Sequence, residues 1–269
     1  MLNYFWVAQI RKDFLWEFSY KLSFLWRFAA IGISVLVFFF ISETFAMSES
    51  SHLGKFNNNY FLFVVIGLGI MDLINIIIGA PVKTVREAQM LGFLDMLLNS
   101  TVSARYLFFC SMLYPAAIGI LKFMCYLMLA FFLQKFEMSA QAIVAVFFIV
   151  LLTVLPFLGV GLISASFVLV FKQSLPITSL VSLILLLFSG IIYPTTVLPE
   201  HFQYISNLIP VTHGIDLMRD VITNNSTSNI TLSLSLYLLS ASFLLISLGF
   251  YSAAYAVKFV KKAGTSGGY

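Results

Sequence analysis

Residues 140–171 contain no ionisable side chain. Roughly 20 apolar residues already cross the ~30 Å hydrocarbon core of a bilayer, where backbone amides find no partner but one another, so this run reads as a membrane-crossing helix. Five further apolar stretches have the same character, at about 25–45, 59–80, 106–133, 175–192 and 231–257. The run at 140–171 is longer than a crossing needs and carries Pro156, Gly159 and Gly161, so it is expected to be kinked, tilted or partly outside the membrane. Charged residues make up only 10% of the 269, against about 25% in soluble domains. That excludes an ordinary soluble enzyme, and a formal charge of +4 is too small to point to nucleic acid. The fold class expected is all-α integral membrane protein, with six transmembrane helices in a single domain over 1–269.

Six crossings place both termini on one side, and the basic residues choose which. With the termini cytoplasmic, Arg11, Lys12, Lys21, Arg27, Lys83, Arg86, Arg105, Lys172, Lys258, Lys261 and Lys262 lie inside, while only Lys55, Lys135 and Arg219 lie outside. Lys122 falls within a span. This is a positive-inside pattern, and it assigns cytoplasmic termini in the cell membrane. Residues 3–21 read as an amphipathic helix lying on the inner surface. Val7, Ile10, Phe14 and Phe18 recur at helical spacing, Arg11, Lys12, Asp13 and Glu17 take other faces, and Trp6 and Trp16 suit headgroup depth. The alternative is an extended, frayed start of the first span.

Reaction machinery is absent from the pattern. Gly54-Lys55 is followed by Phe56, so there is no phosphate-cradling loop, and neither a metal-ligand spacing nor a nucleophile elbow occurs. No catalytic residue and no metal ligand is assigned. His52, His201 and His213 are scattered in segments expected outside and read as surface or structural histidines. Polar groups within spans are costly and point to function. Asp72 sits past the middle of the second span with Asn75 one turn on, and Lys122 sits in the outer half of the third. A direct Asp72–Lys122 pair would satisfy both charges, although their expected depths differ by about 10 Å. A partner on a second subunit, a polar pathway, or snorkelling of Lys122 are the other readings.

Two connecting segments are unusual. On the inner side, residues 84–98 read as a short helix, with Thr84 and Glu87 in a capping-box spacing and Asn99-Ser100 at its end. It sets Met90, Leu91, Phe93, Leu94, Met96, Leu97 and Leu98 beside Arg86, Glu87 and Asp95. So much apolar surface on an inner loop reads as a docking helix for a partner protein, or as a helix lying on the membrane. On the outer side, residues 193–222 are too apolar for a solvated loop and too broken by Pro194, Pro199 and Pro210 for one crossing. Two short helices, near 200–208 and 212–222, are expected to dip back into the outer leaflet as a lid or gate.

Arg86-Glu87 followed by Gly92-Phe93-Leu94-Asp95-Met96-Leu97-Leu98, then Gly190-x-x-Tyr193-Pro194, Leu198-Pro199, Asn207-x-x-Pro210 and Asp216-x-x-Arg219, resemble the permease subunit of type-2 ATP-binding-cassette exporters. The likeness spans nearly the whole chain. Asp95 stands where a Glu is commoner, and Asn99-Ser100 where Ser-Pro often follows. The resemblance implies a homodimer of this chain in membrane lipid, joined by two copies of a nucleotide-binding subunit that carry the ATP and Mg. This chain would hold no cofactor itself. It also implies coupling through Arg86, Glu87, Gly92, Phe93, Leu94, Asp95 and Leu98, an interface helix containing Arg11, Lys12, Phe14, Trp16 and Phe18, and an outer gate formed by Tyr193, Pro194, Pro199, Asn207, Pro210, Asp216 and Arg219. The cargo would be a lipid-linked, glycan or amphipathic compound. A non-transporting membrane anchor of an ATPase-driven assembly machine would carry the same signature. An embedded enzyme or a secondary carrier is disfavoured because the intramembrane polar residues are few and the helix breaks cluster in one outer segment.

Overall fold

The computed structural model describes residues 2–46, 60–100, 102–134, 139–171, 177–224 and 232–263, and among these every regular element is helical. The helices are α1 (Leu2–Ser19), α2 (Lys21–Ala46), α3 (Tyr60–Met90), α4 (Leu94–Leu98), α5 (Ala104–Gln134), α6 (Ala140–Phe171), α7 (Ile177–Phe188), α8 (Glu200–Leu208), α9 (Pro210–Asn224) and α10 (Leu232–Ala263), and a 3-10 turn at Thr195–Val197 precedes α8. Five of them, α2, α3, α5, α6 and α10, are long and apolar enough to cross a membrane. The stretch expected to cross at 175–192 yields only the twelve residues of α7. That is about 18 Å of helix against a hydrocarbon core of roughly 30 Å. Its far end is set by Gly190, whose φ of +71° a helix cannot continue. Residues 172–176, on its near side, lie outside the described residues.

The core forms around α3, which is buried along most of its length and packs on α2, α4, α5, α6, α7 and α9. Two expectations about this helix need correction. The second span does not stop at Ala80, and 84–98 is not one separate helix: α3 runs unbroken through Pro81 to Met90. Pro81 has no N–H to offer the Ile77 carbonyl four residues back. That carbonyl is where Gly161 of α6 comes closest, so that a Cβ at 161 would stand 3.3 Å from it. Packing at this point holds the helix through its proline. Thr84 is therefore not a cap; its hydroxyl donates to the Ala80 carbonyl at 3.1 Å within the helix. Glu87 faces Lys83 at 3.6 Å instead of closing a capping box. The break comes at Gly92, with φ +75°, and α4 is only the five residues that follow.

Small residues let the long helices meet at backbone distance, which is how helices associate when the surrounding solvent is itself apolar. A Cβ at Gly159 of α6 would lie 2.2 Å from the Leu245 carbonyl of α10, and one at Gly249 of α10 would lie 2.7 Å from the Gly159 carbonyl. Gly69 of α3 seats the Phe123 ring of α5, and Gly119 of α5 seats Leu73 of α3, which sets those two helices antiparallel. At the other extreme α1 exposes Val7, Ile10, Phe14 and Leu15 along with Arg11 and Lys12. It turns into α2 at Tyr20, and Arg27 of α2 holds Glu17 of α1 at 2.6 Å. The side chains of Trp16 and Phe18 lie outside the described set.

Gly159→Ala is expected to cost about 1–3 kcal/mol, because its Cβ would meet backbone that cannot move aside as a side-chain tip can. Gly32→Ala, with nothing within 4 Å, should be neutral. Thermal midpoints of the two purified variants, measured in one detergent, check this; equal midpoints would refute the close α6–α10 crossing.

Candidate functional site

The densest polar arrangement surrounds Arg219 of α9, whose side chain is only 1% exposed. A charge so deeply placed is tolerable only when its donors are used. Here Nε and Nη2 donate to the Phe63 carbonyl of α3 at 3.2 and 2.8 Å, and Nη2 also reaches the carbonyls of Gly190 and Ile191 at 2.9 and 3.2 Å. The guanidinium carbon stands 3.3 Å from the centre of the Phe63 ring. The half-exposed Asp216 accepts from Nη1 at 3.5 Å. An arginine guanidinium keeps its proton in proteins, so these carbonyls receive a charged donor. One side chain thus ties three segments: α9, the first turn of α3, and the chain as it leaves α7. Gly67 makes the meeting possible, since a Cβ there would lie 2.5 Å from the Ile191 oxygen.

The neighbouring elbow is held just as specifically. α8 covers 200–208 as expected, whereas α9 begins at Pro210 and not at residue 212, consistent with the fit of proline at a first helical position. Pro199 precedes α8 and its carbonyl accepts from the Phe202 and Gln203 amides at 2.8 and 3.2 Å. His213 bonds the Asn207 carbonyl through Nε2 at 2.9 Å, Tyr237 of α10 donates to the Leu208 carbonyl at 2.9 Å, and their rings meet edge to face at 5.2 Å. Tyr193 donates to the Leu187 carbonyl at 2.5 Å, across the break at Gly190. Pro194 starts the 3-10 turn. Phe202, Tyr204, Ile205 and Leu208 of α8 are exposed.

The opposite end of α3 carries an uncovered apolar turn. Met90, Leu91 and Met96 are 79, 73 and 80% exposed, with Phe93 at 39%. Leu94 and Leu98, expected to join this surface, are instead 4% exposed and anchor α4 on the core. Arg86 is half-buried, and Glu87, Gly92 and Asp95 are exposed. Gln89, one residue before the turn, donates to the Val168 carbonyl of α6 at 3.3 Å.

Within the bundle, Lys122 Nζ sits 3.1 Å from Asp72 Oδ2. The expected 10 Å mismatch in depth does not exist. In the antiparallel α3–α5 pair, Asp72 lies as far from the Tyr60 end of α3 as Lys122 lies from the Gln134 end of α5. Asn75 accepts from the Ser182 hydroxyl of α7, a partner the sequence reading did not find. Among the described residues no group of three or more His, Cys, Asp or Glu is placed to hold a metal.

Comparison with known families decides the assignment. A model described as ABC-2 type transporter matches residues 6–223. The chain belongs to the ABC-2 type transporter family. It is thus the membrane component of an ATP-binding-cassette transporter, an integral membrane protein, and its family implies an ATP-binding-cassette partner. Nodulation protein J of Neorhizobium galegae is 33% identical over 116 residues, covering 40% of this chain and 42% of that protein. Nodulation protein J of Bradyrhizobium diazoefficiens is 36% identical over 63 residues, covering 23% and 22%. The chain thus matches less than half the length of each of these relatives.

In the sequence Arg219 stands three residues after Asp216 in the segment expected outside, but its main partners are carbonyls of Phe63, Gly190 and Ile191. The only signal pointing that way was a lone arginine in an apolar segment. Arg219→Ala is expected to cost about 3–5 kcal/mol, because the carbonyls lose their donor inside the protein. Asp216→Asn, at a half-exposed and long contact, should cost under about 1 kcal/mol. Thermal unfolding of both in detergent checks the ranking, and equal effects would show that the carboxylate pairing carries the clamp.

Proposed function

We propose that this chain is the transmembrane subunit of an ATP-driven exporter that moves a lipid-linked, glycan or amphipathic substrate outward from the cytoplasm or inner leaflet. Two copies form a homodimer and join two copies of a nucleotide-binding subunit, which hold the ATP and Mg. Both termini are cytoplasmic, the orientation that puts eleven basic residues inside and three outside. α7 completes a sixth, short crossing together with the outer segment that follows it. α1 lies at the inner surface with Val7, Ile10, Phe14 and Leu15 toward lipid. In this orientation the turn at Met90–Met96 faces the cytoplasm, and α8 and α9 form the outer gate.

One observation carries the reading: the exposed inner turn and the Arg219 clamp are the two ends of the same helix. α3 is 31 residues long, about 46 Å at 1.5 Å per residue. Its last residue, Met90, is uncovered, and its first turn presents Phe63 to Arg219. Closure of the nucleotide-binding pair would press on the turn, and a packed helix transmits that displacement to the clamp, and so to α9. Such a coupling needs no catalytic group on this chain.

Met90→Glu with Met96→Glu should leave folding and membrane insertion unchanged, because both side chains are exposed, yet reduce co-purification with the nucleotide-binding subunit and ATP-driven export at least tenfold. Normal export by the double variant would remove the docking role. At the other end, cysteines placed at Ile205 and Leu208 should react with a membrane-impermeant thiol reagent from outside at rates that change with nucleotide. Protection that is uniform across nucleotide states would count against a gate.

A further inference from the structure

The intramembrane polar groups, set apart in the sequence, meet at one depth. Asp72 and Asn75 lie three residues apart on α3, hence on one face. Lys122 comes from α5 to Asp72, and Ser182 from the middle of α7 to Asn75. Three helices, α3, α5 and α7, therefore contribute polar side chains to one belt across an otherwise apolar bundle. One of them, α7, is among the least buried helices, with Leu185 its one buried residue.

The belt is not sealed. The Lys122 side chain is 11% exposed, but that of Asp72 is 33% exposed and Asn75 and Ser182 are half-buried. A carboxylate does not face hydrocarbon at this depth; it faces protein or water. The open side also has a definite chemistry. Asp72 and Lys122 cancel one another, so the belt offers no net charge to attract an ion. It offers a carboxylate acceptor, an ammonium donor, the amide Nδ2 of Asn75 as a donor, and the Ser182 hydroxyl, whose proton is directed at Asn75 Oδ1 and the Thr178 carbonyl, as an acceptor. A ligand matched to alternating donors and acceptors without net charge carries hydroxyl groups in series.

We propose that Asp72, Lys122, Asn75 and Ser182 form a membrane-depth binding station for the hydroxyl groups of a neutral glycan on its way through the transporter. The substrate class rests on the exporter reading; the station itself rests on the four side chains. A glycan stripped of water in the bilayer would exchange its hydroxyl–water bonds for these groups and then pass on, since none of them holds it by charge.

The test uses the complete complex with its nucleotide-binding subunits, reconstituted in liposomes, with Cys110 and Cys125 replaced by alanine and Ser182→Cys as the reporter. A small cationic methanethiosulfonate should modify that cysteine, which requires water at the station. Maltotetraose should protect it, while the anionic oligosaccharide tetragalacturonate should not. Replacing the ion pair by Asp72→Leu with Lys122→Met removes both charges together, a change buried pairs tolerate; labelling should persist and at least tenfold more maltotetraose should be needed for protection. Asn75→Leu, which leaves the pair intact, is the second variant and should weaken protection at least threefold. Absence of labelling, absence of protection by maltotetraose, protection by tetragalacturonate alone, or protection unchanged in both variants would each overturn the station. ATP-dependent export is scored separately: a wild-type complex that exports nothing removes the exporter reading and leaves the protection result standing.

Discussion

A backbone carbonyl that leaves its helix inside the protein has no water to accept from, and the end of the bundle where α7, α8 and α9 meet is arranged around that constraint. The chain leaves α7 at Gly190 because a positive φ turns it away, which frees the carbonyls of Gly190 and Ile191. Arg219 supplies donors to both and to Phe63. The arginine in turn can be buried only because those carbonyls receive it, so each side makes the other affordable in free energy. Remove the guanidinium, and the break after α7, the first turn of α3 and the position of α9 lose their common fastening.

Glycine positions extend the same economy of space through the bundle. Lipid tails are as apolar as leucine side chains, so helices gain little by hiding Leu from lipid and more by close backbone approach. Gly159 and Gly249 bring α6 and α10 together, Gly69 and Gly119 bring α3 and α5 together, and Gly161 covers the carbonyl that Pro81 leaves unserved on α3. This last contact lets α3 remain one unbroken helix from the uncovered Met90 turn to the Arg219 clamp.

Much of this was legible in the residues. The long charge-free runs had one physical solution, and α6 occupies 140–171 and α8 occupies 200–208 as read. The break of residues 193–222 into the two short helices α8 and α9 followed from three prolines in apolar sequence. What could not be read was pairing across space. Thr84 and Glu87 matched a capping box by spacing, but a cap needs a helix that starts there, and α3 does not stop at Pro81. Leu94 and Leu98 looked like docking surface because apolar residues on a charged loop do; packing on the core buries them and leaves Met90, Leu91 and Met96 outside.

By itself the sequence determined that the chain is helical and embedded in a membrane, and that it lacks a phosphate-cradling motif of its own. These conclusions rest on hydropathy and residue chemistry, which act locally. Only the tertiary structure decided that Lys122 meets Asp72, that Asn75 meets Ser182, and that Arg219 bonds carbonyls from α3 and the end of α7. Each of those depends on the register between helices far apart in the chain, and register is set by which small residues let which backbones approach.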